Sequence, residues 1–185
     1  MSRLFDRRWQ PVFGVVALGL LMGALSGCAS DGPPPACPRA AIVDEAKVAA
    51  YYREGTGRDL TDITFEVGIP SLTGVCEYDF GEGTVRVGSV LTIGLEAKRG
   101  PAGDAESVEV PYFVAVVDPE QRILAKQVFR PRLTFAESGI RAQAIEEIEQ
   151  IFAIGPEYVG EDYEILVGLQ LDRGQLEENL TRKRR

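Results

Sequence analysis

Alternation of apolar and polar side chains is the main signal along this chain. In 61–69, Ile63, Phe65, Val67 and Ile69 occupy one parity, and Asp62, Thr64, Glu66 and Gly68 the other. Pro70 ends that run. Leu72, Cys76, Tyr78 and Phe80 then share a parity, which directs the cysteine inward. In 84–97, Val85, Val87, Leu91, Ile93, Leu95 and Ala97 face one way, against Thr84, Arg86, Thr92 and Glu96. Tyr163, Ile165, Val167, Leu169 and Leu171 repeat the pattern in 162–171. A period of two in β-branched and aromatic residues predicts strands with one dry face.

A continuous apolar run, 112–117, and a second run, 122–129, flank Asp118-Pro119-Glu120-Gln121. Proline presets the second position of a tight turn, so the two runs read as a hairpin. Gly81-Glu82-Gly83 marks another turn, and 100–107 a loop. The segment 142–154 fits two spacings. Ile145, Ile148 and Phe152 are helical in period, whereas Ile148, Gln150, Phe152 and Ile154 are strand-like. Its β-branched content favours a strand. Residues 41–53 read either as an Ala-rich helix or, preferably, as a first strand with an irregular continuation.

Seven or eight short strands with regular turn signals predict an all-β fold: an antiparallel immunoglobulin-like β-sandwich with a short C-terminal helix. A small β-barrel is the alternative. The expected organisation is a processed segment (1–27), a Pro-rich tether (28–36), the sandwich (37–172), and a helix with a basic tail (173–185). Helical turns are expected over 174–180, with a basic tail over 181–185.

The amino terminus changes the picture most. Arg3, Arg7 and Arg8 precede an apolar run, 12–25, too short and Gly-rich for a comfortable membrane span. It ends Leu25-Ser26-Gly27-Cys28. This resembles the lipobox of bacterial lipoproteins, and the chain is similar to periplasm-facing lipoproteins of Gram-negative bacteria. The resemblance implies cleavage between Gly27 and Cys28, a diacylglycerol on the Cys28 thiol and a third acyl chain on its new amino terminus. No cofactor is expected beyond this covalent lipid. One chain alone binds a bilayer marginally, at roughly 0.8 kcal/mol per buried methylene, whereas three make release negligible. Ala29 and Ser30 follow the cysteine, where enteric lipoproteins kept at the inner membrane carry Asp. The outer membrane, periplasmic side, is therefore expected, with the inner membrane as the alternative. Pro33-Pro34-Pro35 favours an extended tether, about 3.1 Å per residue, so any partner must come close to the lipid surface.

An oxidising periplasm suits a bridge between the two remaining cysteines, Cys37 and Cys76, pinning the first strand to a later one. Two unpaired buried thiols are the alternative.

Charge and composition narrow the function. Of 185 residues, 20 are basic and 28 acidic. Removing residues 1–27 takes away Arg3, Arg7, Arg8 and Asp6 and leaves a net charge of −10 on 158 residues. Four of the remaining positive charges are the final residues Arg182, Lys183, Arg184 and Arg185. A body this acidic would be repelled by nucleic acid. The tail, in contrast, could meet an anionic lipid surface or an acidic partner. There is no His in the chain, and the only Trp is Trp9. The usual general base, the commonest metal ligand and the usual activator of a catalytic cysteine are therefore missing.

The remaining candidates are weak. Gly55-Thr56-Gly57-Arg58-Asp59 could cradle an anion, but no helix with a Lys follows, and a structural turn is favoured. Asp104, Glu106 and Glu109 lack a calcium-ligand spacing. Glu146, Glu147 and Glu149 read as a charged outer face before they read as acid–base carboxylates. Tyr51, Tyr52 and Tyr158 offer flat area for binding but are expected to pack at strand ends. No catalytic or metal residue is assigned. The expectation is a non-enzymatic interaction or structural module of the envelope, holding another envelope protein. The alternatives are a carrier of a lipid or hydrophobic molecule, which needs an apolar cavity, and a carboxylate-based hydrolase.

Overall fold

The computed structural model describes residues 35–183 except Thr56 and Glu82. Cys28, the cleavage position, the signal-like run, most of the tether, and Arg184 and Arg185 lie outside the described residues.

The strongest alternation builds the longest strands. β1 (Arg39–Ile42) and β2 (Val48–Tyr52) open the chain and are joined by a single 3-10 turn. β3 (Ile63–Gly81) and β4 (Thr84–Arg99) follow as a long hairpin. Next come β5 (Ser107–Glu109), β6 (Tyr112–Val117), β7 (Ile123–Phe129), β8 (Arg132–Thr134) and β9 (Arg141–Ile154). β10 (Glu164–Leu169) and α1 (Arg173–Lys183) end the described chain.

Two four-stranded sheets carry the fold, ordered β1-β10-β6-β7 and β2-β3-β4-β9, with a small β5-β8 pair beside them. Leu91, Ile93 and Leu95 of one sheet meet Val114, Ile165 and Val167 of the other in a single buried core. This is an all-β sandwich. Among the described residues there is no closed barrel. β4 pairs with β9 and β6 with β10, while the chain crosses between sheets from β4 to β6 and from β9 to β10. That crossing pattern is the Greek-key core of an immunoglobulin-like sandwich.

Four expectations change. Pro70 does not end a strand; β3 runs through it as one 19-residue strand. An extra residue between Gly68 and Ser71 bulges the strand there, which accommodates the missing N–H of proline and moves the inward set from odd to even numbers. Among the described residues ten strands form instead of seven or eight, because the irregular stretch after Cys37 yields two short strands and the loop flanks yield β5 and β8. The sandwich is not wholly antiparallel either: β1 runs parallel to β10. Cys37 leads into β1 at the end of the sheet where β10 also starts, and the Arg39 N–H donates to the Tyr163 carbonyl at 3.1 Å. Finally, α1 continues to Lys183, into the stretch expected to be a tail.

The ambiguous segment 142–154 is a strand, paired without interruption to β4 over the whole of Arg141–Ile154. Cys37 and Cys76 stand with their sulfurs 2.01 Å apart and Cα atoms 5.7 Å apart, a disulfide distance. The hairpin at 118–121 forms as expected. The Gln121 N–H donates to the Asp118 carbonyl at 2.9 Å, Gln121 takes a φ of 65°, and Asp118 accepts from the backbone N–H and the Nε of Arg122.

Candidate functional site

The sheet β2-β3-β4-β9 has two outer strands that meet their surroundings differently. Along β2 the backbone edge is covered by α1. The helix starts with a reciprocal cap, the Gln175 N–H on Asp172 Oδ1 at 2.8 Å and the Asp172 N–H on Gln175 Oε1 at 3.0 Å. One turn apart on the same face, Gln175 and Asn179 are buried. The Gln175 amide nitrogen donates to the Ala50 carbonyl at 3.3 Å. The Asn179 amide donates to the carbonyls of Val48 at 2.7 Å and Glu45 at 2.8 Å. Two side-chain amides thus take the place of a neighbouring strand. Tyr52 adds a hydrogen bond from its hydroxyl to Glu178 at 2.9 Å, and Lys183 pairs with Glu45 at 2.7 Å.

At the other side, β9 presents 14 residues with no strand paired to its outer edge among the described residues. Its core-facing row is Ala142, Ala144, Glu146, Ile148, Gln150, Phe152 and Ile154. The opposite row carries Ile145, Glu147, Glu149 and Ile151, with Ile145 75% and Ile151 64% exposed. Each of these isoleucines lies across from a glycine of β4, Ile145 beside Gly94 and Ile151 beside Gly88.

The facing sheet overhangs this edge. β1 and β10 pack against β3, and Tyr163, which leads into β10, meets Phe152 of β9 at 5.5 Å, so β6, the next strand out, reaches over β9 and β7 extends past it. The Glu146 carboxylate of β9 is close enough to Tyr112 of β6 to raise that phenol further, after burial has already pushed it up. The Tyr112 ring is fully buried and stacks on Phe129 of β7 at 5.2 Å, yet its hydroxyl has no partner among the described residues. Six of the seven β7 residues are exposed and Phe129 is half-buried, so both faces of this strand meet solvent. Strands in a sandwich normally have one covered face. Among the described residues β7 lacks a strand opposite.

The candidates that the sequence suggests elsewhere resolve into packing. Arg58 lies over the Tyr52 ring at 5.6 Å and near Glu178 at 3.5 Å. Asp59 accepts from the Thr61 N–H at 3.0 Å, and that bond with the Thr61 hydroxyl holds its carboxyl below the usual range. Asp59 is thus bonded locally, whereas Arg58 reaches across to α1. Tyr51 stacks on Phe65 at 4.4 Å, with burial pushing its phenol up. Tyr158 donates to Glu120, which with burial pushes it up to about 12. Glu109 pairs with Arg130 at 3.6 Å, and no group of three acidic or thiol ligands able to hold a metal occurs among the described residues. Glu147 and Glu149 share the outer face while Glu146 faces the core side, so the three do not converge. Of the basic tail, Arg182 pairs with Glu178 at 3.0 Å and Lys183 with Glu45 and Asp44.

A cleft of about 710 Å³ lies between β2 and α1, outside the sandwich, lined by Tyr52, Arg58, Glu178 and Arg182 among others. Its lining is charged, in contrast to the apolar lining a lipid carrier requires. Sequence reasoning missed both edges. Their signal lay in pairing, since a strand's sequence does not say which neighbours it will have.

No family model, curated protein or solved structure matches this chain.

Proposed function

We propose that this chain is a lipid-anchored, non-enzymatic interaction module that faces the periplasm of a Gram-negative envelope, fixed through Cys28. The anchor rests on Leu25-Ser26-Gly27-Cys28 after an apolar run, and the outer membrane on Ala29-Ser30. The Cys37–Cys76 pair at disulfide distance suits an oxidising compartment.

The observation that carries the binding role is the uncovered edge of β9 beneath an overhanging β7. Long exposed edges are a hazard that folded proteins ordinarily cover or shorten. One retained at 14 residues, with apolar side chains exposed along it, is what strand addition by a partner requires. The chain's charge and the lack of His weigh against nucleic-acid binding and acid–base catalysis respectively.

Two measurements test this reading. Intact-mass analysis of the native membrane-extracted protein should find Cys28 first and acylated; another first residue, or a bare Cys28, overturns the anchor. Photocrosslinking in intact cells from position Ile145 should give a discrete protein adduct that is not formed from Glu177 on α1. Equal labelling from both positions, or none from either, overturns the module.

A further inference from the structure

The binding role leaves open what the β9 edge accepts. We infer that it takes an extended segment of another protein, seven to nine residues long, that pairs with β9 beneath β7 and carries Lys or Arg on its outer face. This rests on the interaction-module reading and specifies its ligand.

The length follows from β7. Its seven residues set how far an added strand is covered on both sides, roughly 23 Å at the usual rise. An occupant there pairs its backbone with β9, and its inner side chains lie against Ala125, Gln127 and the half-buried Phe129. In register, Tyr112 pairs with Phe129, Val114 with Gln127 and Val116 with Ala125, so these three β7 residues continue the core-facing row of β6. That row is buried on β6 and exposed on β7, apart from Phe129. Small apolar side chains suit it.

The charge follows from β9. Glu147 and Glu149 stand two residues apart on its outer face, and Glu146 on the inner one. Opposite charges directly across a strand pair stabilise it, and like charges weaken it. A second copy of this chain is therefore disfavoured. An antiparallel β9–β9 pair centred on Ile148 would set Glu147 against Glu149 at both crossings. The net charge of −8 for the whole chain opposes self-association as well. A cationic strand meets neither obstacle.

The experiment uses the full-length protein purified in detergent and a fluorescent nine-residue peptide of alternating Lys and Val. It should bind in an anisotropy titration and slow hydrogen exchange at alternate β9 amides. A peptide with Glu replacing Lys should bind roughly tenfold more weakly or worse. The Lys–Val peptide N-methylated at its three central residues keeps its charges but loses strand donors, and should also weaken by about tenfold or more. The double variant E147K/E149K, changed only on an exposed face, should reverse the preference between the Lys and Glu peptides.

Equal binding of the N-methylated peptide overturns the proposal, because it leaves only charge attraction. Protection appearing on α1 or β1 in place of β9 does the same. So does a dimer in sedimentation whose β9 amides are protected without peptide, since the occupant is then a second copy. Should the double variant fail to fold, the three peptides on the native protein still decide. If peptides fail while the Ile145 crosslink forms in cells, the module reading stands and this ligand chemistry falls. If the crosslink also fails, both fall.

Discussion

Strands β2 and β9 close the same sheet at opposite ends, and the contrast between them is instructive. β2 is five residues long, and its carbonyls at Val48 and Ala50 receive the amides of Asn179 and Gln175. β9 is 14 residues long, and among the described residues no strand pairs with its outer edge, which charge guards. An unpaired backbone edge invites another chain, and burying it or charging it are the two common remedies. The first closes the edge permanently. The second leaves it open to a partner of the opposite charge. The disulfide-distance cysteines belong to the fastened side too, tying the approach to β1 onto β3. If one edge is structural and the other kept for docking, damage to the first should cost stability, and damage to the second should not.

The largest effect should come from the cysteines. Removing a crosslink across a sequence separation of 39 costs about 4 kcal/mol on the chain-entropy model. Cys37→Ser with Cys76→Ser should therefore lower the melting temperature by ~10 °C for a body of this size. Hydrogen exchange should quicken first in β1, β2 and β3. Equal loss of protection in β9 would break the contrast between the sides, and an unchanged melting temperature would show that no bridge forms.

Next comes the amide ladder. Asn179→Leu keeps a similar volume but leaves the Glu45 and Val48 carbonyls without their donors. Loss of a partner for a buried polar group costs about 2 kcal/mol. Urea unfolding should report that loss, and β2 amides should exchange faster. The helix has little apolar surface of its own to compensate, since Leu176 and Leu180 are both exposed. A loss no larger than that for an exposed helix substitution, such as Glu177→Ala, would mean that α1 is not what covers β2.

Acid should loosen the same helix. The side-chain hydrogen bond from Lys183 is the main reason that the Glu45 carboxyl sits below its ordinary value of 4.5, and the same contact raises Lys183. A lowered carboxyl contributes stability that is present above pH 4.5 and lost as pH falls through the lower folded value. Lys183 contributes stability that is present below its ordinary 10.5 and lost as pH rises through its raised folded value. Limited proteolysis after Lys183 and Arg182 should therefore speed up at acid pH, and Glu45→Gln should flatten that acid limb. An identical pH profile in the variant would remove this ion pair from the account of how α1 docks.

Much of the sandwich is legible in the sequence, for a definable reason. β4 alternates because one of its faces is dry and the other wet, and Val87, Leu91, Ile93, Leu95 and Ala97 are all buried as their parity predicts. The change of parity across Pro70 is the bulge itself, visible in sequence as two runs out of phase. Cys76 lies on the core-facing parity, which makes a pairing with Cys37 an expectation of the sequence. Pairing between distant segments is what cannot be read. Nothing local says that β1 lies parallel to β10, because direction depends on where the chain enters and not on its alternation. Nor does α1 look like a packing helix. Its buried face is made of Gln175 and Asn179, polar residues that read as exposed until their partners are known. The β9 edge is hidden for the opposite reason: its glutamates read as a solvated face, which describes their surroundings but not the unpaired backbone beside them.

The smallest effect is the most discriminating. Glu147→Ala with Glu149→Ala alters two side chains on the outer face of β9, where neither has a salt bridge among the described residues. Stability should stay within about 0.5 kcal/mol of the native protein, as for surface substitutions away from special features. Association should change instead. Without the two charges, the exposed isoleucines at 145 and 151 flank an outer face that carries no charge between them and can pair with its own copy. Light scattering at raised concentration should then detect dimers or larger species absent from the native protein, and salt should bring the native protein partway toward that state by screening its charges. Charge would thus be the selector on this edge, repelling copies while admitting a cationic strand. A variant that loses stability yet stays monomeric would place the glutamates in the fold's own support, and the distinction between the fastened and the open edge would no longer hold.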